Sequence, residues 1–260
     1  MIPITIFYVI VKVVEKQRKI RQGKEKEYDQ KILQRAVKEV LQNAEFIRDQ
    51  CILPDDYGII PRYDSFNRVG MLRYCKNGNE YLFSNIHLLR QTTDEDDNTV
   101  YETIYKGQIY TLAFKTPLSG YVRIFSTKMI PLIKKEYAAD YLAKRPEEKK
   151  IETENVLFND NFDVYASEEQ SAFFVLNPIV MEKLLEMKKS YGQLGVYISG
   201  EYAVIVMETG KLLFNTRQYQ AQTQEADLES AKEEIKKMLQ MAAFLEDVIN
   251  GKIQKGEERR

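Results

Sequence analysis

Alternation of side-chain type between residues 100 and 114 constrains the fold of this chain more than any other feature of its sequence. Along an extended chain, neighbours such as Ile109 and Tyr110 face opposite sides. Three stretches share this aromatic and β-branched pattern: residues 81–91, 100–114 and 121–126. A polar loop follows the first stretch and a Pro-Leu-Ser-Gly turn follows the second, and both connections favour antiparallel neighbours. The pattern therefore predicts a β-rich block over residues 80–127.

A second unit is predicted over residues 161–208. In order, its expected elements are strands over residues 162–166 and 172–176, a helix over 179–191 and a hairpin over 194–198 and 202–207. Asn177 and Pro178 suit the cap and the first position of the helix, and Gly192 is a favoured residue for its end. The sequence thus indicates a compact β-β-α-β-β unit.

Long helices are expected at both ends of this region. Apolar residues recur every three or four positions over residues 25–52, which predicts a helix that ends before Pro54. Residues 224–250 predict a second helix with a heptad seam. The seam residues that would support self-association are Leu228, Ile235, Met238, Leu245 and Ile249. The alternative is that this seam packs on the chain's own sheet.

Together these elements predict an α+β fold, in which antiparallel sheets carry a packed helix and are flanked by long amino- and carboxyl-terminal helices. We expect three segments. Residues 1–23 form a short hydrophobic and basic membrane-proximal segment, residues 24–222 form the α+β domain, and residues 223–260 form an amphipathic helix with a frayed tail. With 260 residues, 44% of them apolar, the chain has enough material for a core.

At the amino terminus, an apolar run is followed by a basic segment. Residues 12–26 contain seven cationic side chains and two glutamates. An apolar helix of about 13 residues covers about 20 Å, which is less than the ~30 Å hydrocarbon core of a bilayer, so the run predicts membrane contact without a complete span. Because the cations follow the apolar run, the positive-inside tendency predicts that the rest of the chain is cytoplasmic.

Nine residues are predicted to contact the membrane: Ile4, Ile6, Phe7, Ile10, Lys12, Lys16, Arg18, Lys19 and Arg21. The alternative is a first strand or core helix, although a buried strand seldom continues straight into seven cations. Two origins of the apolar run stay open: the end of a truncated transmembrane segment, or a start that touches the bilayer without crossing it.

Charge, histidine and cysteine content limit the possible chemistry. The 38 basic and 39 acidic residues almost cancel, so no overall field attracts nucleic acid. His87 is the single histidine, which excludes sites built on several histidines. Cys51 and Cys75 are expected to be small buried groups in a reducing compartment. No metal or cofactor is expected, because the loop at Asp94 has Thr99 where a calcium loop needs glycine and no phosphate-binding loop occurs.

Several short segments form a signature in combination. They are residues 104–114 (IYKGQIYTLAF), 120–122 (GYV), 161–166 (NFDVYA), 176–186 (LNPIVMEKLLE) and 195–198 (GVYI). This combination resembles a bacterial family known as domain of unknown function 3137, and the similarity covers about residues 28–215. Members of that family commonly carry amino-terminal transmembrane segments before a basic helical entry, so the resemblance implies placement at a membrane. It implies no activity and no catalytic residues, and the apolar run here is shorter than the family pattern.

These features predict a membrane-associated cytoplasmic domain that acts as a non-enzymatic interaction, sensory or scaffold module. The expected partners are the membrane surface or membrane proteins, without nucleic acid. The expected location is the cytoplasmic side of the cell membrane, and the alternative is the cytoplasm. The rival hypothesis is a small-ligand-binding protein or an enzyme that uses carboxylate, tyrosine or lysine side chains in a pocket between sheet and helix. The sequence singles out no catalytic residue.

Overall fold

The chain divides into two units. Met1–Gln42 and Phe214–Lys236 form the smaller unit, and Asn43–Leu213 and Lys237–Arg260 form the larger one. The computed structural model describes residues 12–20, 23, 27–41, 43–53, 57–67, 70–115, 118–127, 142–214 and 223–249.

The described residues contain ten β-strands and several helices. The strands are β1 (Ala44–Ile47), β2 (Ser65–Phe66), β3 (Met71–Lys76), β4 (Asn79–Thr93), β5 (Thr99–Ala113), β6 (Val122–Ser126), β7 (Lys149–Lys150), β8 (Phe162–Ala166), β9 (Gln193–Ile198) and β10 (Tyr202–Glu208). The α-helices are α1 (Gln34–Val40), α2 (Val156–Asn159), α3 (Glu169–Val175), α4 (Pro178–Tyr191) and α5 (Gln224–Ile249). A π-helical turn, Asp29–Leu33, precedes α1, and residues 12–20 are also helical.

The smaller unit brings α1 and the first part of α5 together. Val37 of α1 and Ile235 of α5 are fully buried. Lys232 of α5 forms an ion pair with Glu39 of α1. The backbone N–H of Phe214 donates to a carboxylate oxygen of Glu234 at 2.8 Å. Apolar burial and these polar contacts therefore both hold the unit.

The larger unit is built on a single antiparallel sheet. Its strand order is β1-β3-β4-β5-β10-β9-β6-β8-β7, and β2 pairs with β4 off this path. The two longest strands, β4 and β5, form a hairpin with a register shift between Leu88 and Leu89. The central pair joins β5 to β10, with Val206 opposite Ile109. The centre of the sheet is therefore made by strands that are far apart along the chain.

The two faces of this sheet have different covers. On one face, Ile109, Tyr197 and Val204 pack with Ile59 and Ile60, which belong to the connection between β1 and β2. We call it the loop-covered face. Side chains alternate between faces, so the residues between these positions lie on the other face. That face, the helix-covered face, packs against α4 next to β9 and against the second half of α5.

Gly195 allows the connection before β2 to lie directly on the sheet. A Cβ atom at this position would lie 2.5 Å from the carbonyl oxygen of Ile59. Real Cβ atoms do not approach backbone oxygens so closely, and glycine in a strand often marks such an approach. The sheet and its loop cover therefore touch through backbone at this point.

The predicted α+β fold is confirmed. The strands expected over residues 81–91, 100–114 and 121–126 are β4, β5 and β6, and the hairpin expected near residue 200 is β9 and β10. The predicted helix at 179–191 is α4, and the Asn177 side chain caps it. The carboxyl-terminal helix expected over residues 224–250 is α5.

The prediction of one helix over residues 25–52 is wrong beyond Val40. Asn43 has a positive φ of 57°, which a helix interior does not allow, and the chain then enters β1. β1 pairs with β3, with Phe46 opposite Leu72. Ala44 and Ile47 also fit a three-residue helical spacing, so periodicity alone could not show that these residues belong to a strand.

The predicted strand over residues 172–176 is also wrong, because these residues belong to α3 and its end. Ser171, Ala172 and Val175 are buried, whereas Phe173 and Phe174 are exposed. That spacing is typical of a helix with one buried face. The unit over residues 161–208 is therefore β-α-α-β-β. A short apolar run does not distinguish a strand from a buried helical turn.

Two further expectations are corrected. The strands β5 and β6, which were expected to be antiparallel neighbours, are not adjacent in the sheet, because β5 pairs with β4 and β10, whereas β6 pairs with β8 and β9. The thiols are free, but they are not buried as expected, since Cys75 is exposed and Cys51 is half-buried. Cys75 lies near the end of β3, where alternate side chains face solvent.

Candidate functional site

Four of the nine predicted membrane-contact residues fall within the described part of the chain. Lys12, Lys16, Arg18 and Lys19 lie on the helix formed by residues 12–20, and all four side chains are exposed. The other five are outside the described residues: Ile4, Ile6, Phe7, Ile10 and Arg21. The structure therefore places part of the predicted basic segment on the exposed helical residues 12–20.

The same helix exposes aliphatic side chains. Val13, Val14 and Ile20 are 49%, 57% and 52% exposed, and every residue from 12 to 20 faces solvent. Large apolar side chains at this exposure do not contribute to a core. Among the described residues, no helix is both long enough and apolar enough to cross a bilayer.

The seam of α5 is largely buried. Leu228 and Ile235 are buried in the part of α5 that belongs to the smaller unit, and Met238 and Leu245 are buried in the part that belongs to the larger unit. The side chain of Ile249 lies outside the described residues. Self-association through this seam stays a prediction.

A cavity lies between the sheet and α5. Met238 and Leu245 of α5 line it together with Tyr81, Phe83 and Tyr110 on the helix-covered face. Its volume is about 10 Å³, which is room for about one water molecule. This cavity cannot admit the small-molecule substrate that the rival hypothesis requires.

Arg123 anchors the connecting segments that pack on the loop-covered face. Its side chain is fully buried, and its guanidinium donates twice to the Glu148 carboxylate, with 2.6 Å from Nε to Oε1. The remaining donors reach the carbonyl oxygens of Gly58 and Ala143. Paired and hydrogen-bonded in this way, a buried charge is tolerated. Arg123 therefore ties β6 to the connection before β2 and to the segment before β7.

Four tyrosines pack beside this ion pair, and we call them the tyrosine cluster: Tyr57, Tyr121, Tyr197 and Tyr202. The ring centroid of Tyr197 lies 5.5 Å from that of Tyr57, 5.4 Å from Tyr121 and 5.6 Å from Tyr202. These separations are typical of favourable aromatic pairs. Since the rings pack on one another, the cluster extends the core towards solvent.

Charged groups border the tyrosine cluster. The Tyr121 hydroxyl donates to Glu147 Oε1 at 2.6 Å, and the Arg145 guanidinium lies 5.5 Å above the Tyr121 ring. Burial, followed by the bond to Glu147, raises the pKa of Tyr121 to about 12. Burial also raises the pKa of Tyr197. Both hydroxyls therefore stay protonated at neutral pH and act as neutral hydrogen-bonding groups.

A second polar group of residues lies at the other end of β10. Glu208 is the cross-strand partner of Gln193 in β9. Burial raises the pKa of the Glu208 carboxyl. The Gln193 Oε1 atom and the Tyr105 hydroxyl are buried and have no hydrogen-bond partner within the described residues. The negative charge of Glu208 also contributes, after burial, to a raised pKa at Tyr105. We call these three residues the oxygen cluster.

His87 lies on β4, and both of its ring nitrogens have neighbours within hydrogen-bonding distance. Its Nδ1 atom lies 2.9 Å from the Asn67 amide nitrogen, and its Nε2 atom lies 2.9 Å from the Thr103 hydroxyl. Burial and then the positive charge of Lys106 lower its pKa. Both ring nitrogens are therefore occupied within the fold.

The acidic loop between β4 and β5 is a hairpin turn. Asp94 Oδ1 accepts the backbone N–H groups of Asp96 and Asn98 at 3.0 and 2.8 Å. The bonds from Asn98 lower the pKa of Asp94 most. Across the described residues, no group of three or more His, Cys, Asp or Glu side chains is arranged to hold a metal ion.

Sequence reasoning missed Arg123 and the oxygen cluster. For Arg123 a signal was present, because it shares a strand face with Tyr121 and Phe125 and should point inwards with them. Gln193, Glu208 and Tyr105 carried no such signal. Their proximity depends on the pairing of β10 with both β9 and β5, which no local pattern encodes.

The fold and these clusters define an α+β protein with one large antiparallel sheet, covered by helices on one face and by tied connections on the other. The chain belongs to the family described as protein of unknown function (DUF3137), whose profile matches residues 103–246. The match confirms the family resemblance seen in the sequence. No curated protein matches the chain. Among solved structures, the crystal structure of the mycobacterial trehalose monomycolate transport factor A, TtfA, is similar over 57% of this chain and 72% of that chain, with 8% identity and a TM-score of 0.29.

Proposed function

We propose that this chain is a membrane-proximal interaction module that binds partners rather than converting a substrate. The observation that carries the proposal is the helix of residues 12–20, which exposes aliphatic and cationic side chains together. A helix of this composition is suited to the boundary between headgroups and acyl chains. The proposed partner of the helix is an anionic lipid surface.

Charge supplies the proposed attraction. Lys16, Arg18 and Lys19 are exposed within four residues, and Glu15 is the single acidic residue among residues 12–20. A cation near an anionic leaflet contributes about 1 kcal/mol, so three contribute roughly 3 kcal/mol. This gain corresponds to a factor of about one hundred in partitioning. The exposed aliphatic side chains Val13, Val14 and Ile20 add apolar burial on insertion.

The proposed location is the cytoplasmic side of the cell membrane. Cationic residues beside membrane-contacting segments are enriched on the cytoplasmic side, and the basic residues here follow an apolar run. In this proposal, the sheet unit is the part that meets other proteins. The cytoplasmic leaflet also carries the anionic lipids that the helix requires.

Vesicle binding tests the proposal. We expect the full chain to sediment with vesicles that contain anionic lipid, and the triple variant Lys16→Glu, Arg18→Glu, Lys19→Glu to bind at least about a hundredfold more weakly, because each replacement removes an attraction and adds a repulsion. Binding of the unaltered chain should weaken as salt is raised, because salt screens exposed charges. Cosedimentation over a series of lipid concentrations measures the partition constants.

A matched control separates a local site from overall charge. Lys115, Lys211 and Lys237 are exposed cations elsewhere on the chain. Their replacement by glutamate changes the net charge by the same amount, and we expect binding within about twofold of the unaltered chain. Equal weakening in both triple variants, or no binding of the unaltered chain at low salt, would contradict the proposal.

A further inference from the structure

We propose that the oxygen cluster of Tyr105, Gln193 and Glu208 is the binding site of a small monovalent cation. Three neighbouring strands supply one oxygen-bearing side chain each: Tyr105 from β5, Gln193 from β9 and Glu208 from β10. The site lies on the loop-covered face of the larger unit. It is independent of the helix at residues 12–20 and therefore of the proposed membrane function.

Strand register places Glu208 beside Gln193, and Tyr105 lies on β5, the strand on the other side of β10. Glu208 and Gln193 are direct cross-strand partners, so their side chains leave the sheet on the same face. Beyond the last pair of β10 with β5, the Gly210 N–H donates to the Lys106 carbonyl oxygen at 2.9 Å. The end of β10 therefore runs beside residues 106–108, and Tyr105 is the adjoining position of β5. Tyr105 belongs to the packed cluster of the loop-covered face.

The polar atoms of this cluster lack partners. Tyr105 is 1% exposed, and its hydroxyl has no hydrogen bond within the described residues. Gln193 Oε1 is buried and likewise has no partner there. The Glu208 carboxylate is half-buried and forms no hydrogen bond or ion pair with any residue that the structure describes, and burial is the cause of its raised pKa. Buried polar atoms in folded proteins are nearly always satisfied, so the Tyr105 hydroxyl and the Gln193 Oε1 atom are available to coordinate a ligand beside the Glu208 carboxylate.

The chemistry of the three ligand atoms determines which kind of ion the site would bind. All three ligands are oxygen atoms, which hard cations prefer over nitrogen or sulfur ligands. The set carries one full negative charge at most, and a monovalent cation neutralises it. Calcium and magnesium sites use more carboxylates, and no cluster of three acidic, histidine or cysteine side chains occurs among the described residues. Sodium, potassium and ammonium ions fit this description.

Thermal unfolding in different salts tests the site. The full chain is unfolded in choline, sodium, potassium and ammonium chloride at equal ionic strength. We expect at least one small cation to raise the unfolding temperature above its value in choline, with a saturable dependence on concentration. In Glu208→Gln the apparent dissociation constant should rise at least about tenfold, because the charge-assisted contact is lost.

Two controls make the result specific. Glu201 is an exposed glutamate in the turn of the same hairpin, so Glu201→Gln removes the same charge and should keep the affinity of the unaltered chain. Tyr105→Phe removes only the hydroxyl and should weaken binding. As a second readout, carboxyl NMR titration should show a lower pKa at Glu208 when the bound cation replaces choline.

The possible results of these experiments distinguish a cation site from a cluster that binds no cation. A cluster filled by water alone predicts the same unfolding temperature in all four salts, and that result would overturn the proposal. Wild-type affinity in both Glu208→Gln and Tyr105→Phe would also overturn it. If Glu208→Gln fails to fold, Tyr105→Phe and the Glu208 titration in the unaltered chain still decide the question.

Discussion

Arg123 and Glu148 form the most deeply buried ion pair among the described residues, since neither side chain is exposed. The pair matters because it holds two irregular connections against the sheet, through the carbonyl oxygens of Gly58 and Ala143. Irregular segments seldom bury their backbone groups, because those groups then need partners. Here one guanidinium supplies several of the partners at once.

Removal of one member of this pair should strongly destabilise the fold. We expect Arg123→Met to lower the free energy of unfolding by about 3–5 kcal/mol, because Glu148 would keep a buried and unpaired charge. The double variant Arg123→Met, Glu148→Leu should lose less than the sum of the two single losses, because it leaves no unpaired charge. Urea unfolding measures both quantities.

An exposed pair provides the comparison. Lys183 and Glu186 form an ion pair on the outer surface of α4. Lys183→Met should change the free energy of unfolding by no more than about 1 kcal/mol, because solvent screens exposed pairs. Similar losses for Lys183→Met and Arg123→Met would show that burial gives the inner pair no special role.

Individual residues also show where sequence reasoning stops. An inward-pointing arginine on a predicted strand indicates that a buried acidic partner is present, but the local sequence does not identify which carboxylate is the partner. Glu148 lies 25 positions after Arg123, in a charged stretch where several glutamates look equivalent. The choice among them depends on how the segment before β7 folds over the sheet. The folding of that segment depends on contacts between residues that are far apart in the sequence.

Among the helices, α4 shows how local signals fix an element. Asn177 Oδ1 accepts the backbone N–H groups of Ile179 and Val180 at 3.0 Å each. Pro178 follows at the first helical position, where its missing N–H is harmless. These signals act within a few residues, and for that reason the start of α4 could be predicted from the sequence.

The cap should have a measurable effect on stability. We expect Asn177→Ala to lower the free energy of unfolding by about 1 kcal/mol, because two backbone donors at the helix start lose their acceptor. Asn177→Asp keeps an acceptor and should stay within a few tenths of a kcal/mol of the unaltered chain. Urea unfolding of the three proteins tests this. A loss in Asn177→Asp as large as in Asn177→Ala would show that packing, and not capping, matters there.

The misassigned elements have a common physical cause. No proline or glycine lies between α1 and β1, and the positive φ of Asn43 prevents the helix from continuing. α3 has a pattern of apolar residues that also suits a strand. In both cases the deciding contribution is tertiary: β1 is held by β3, and one face of α3 is buried. Local periodicity was reliable where an element was long, as in β4, β5 and α5.

For the molecule as a whole, the role of α5 decides between a single chain and an assembly. Met238 and Leu245 are buried against the chain's own sheet. We therefore expect a single-chain mass in solution, and the double variant Met238→Glu, Leu245→Glu should lose more than about 4 kcal/mol of unfolding free energy, because two charges would enter the core. Light scattering measures the mass, and urea unfolding measures the stability.

Exposed positions of the same helix serve as the control. Lys237 and Gln240 face solvent, so Lys237→Glu, Gln240→Glu should leave both mass and stability nearly unchanged. One combination of mass and stability would instead favour assembly through the seam. The unaltered chain would then have the mass of an oligomer, and the variant Met238→Glu, Leu245→Glu would be a stably folded monomer.

The pairing of β5 with β10 has a consequence during synthesis. Gln108 and Met207 are partners in the sheet, so roughly 100 residues separate the two halves of this pair along the chain. A ribosome that adds about 5–20 residues per second needs roughly 5–20 s to deliver β10 after β5. Throughout that interval the hairpin of β4 and β5 has an open edge with unpaired backbone groups, which is a template for association with other nascent chains. A chaperone that shields this edge would therefore act before β10 emerges.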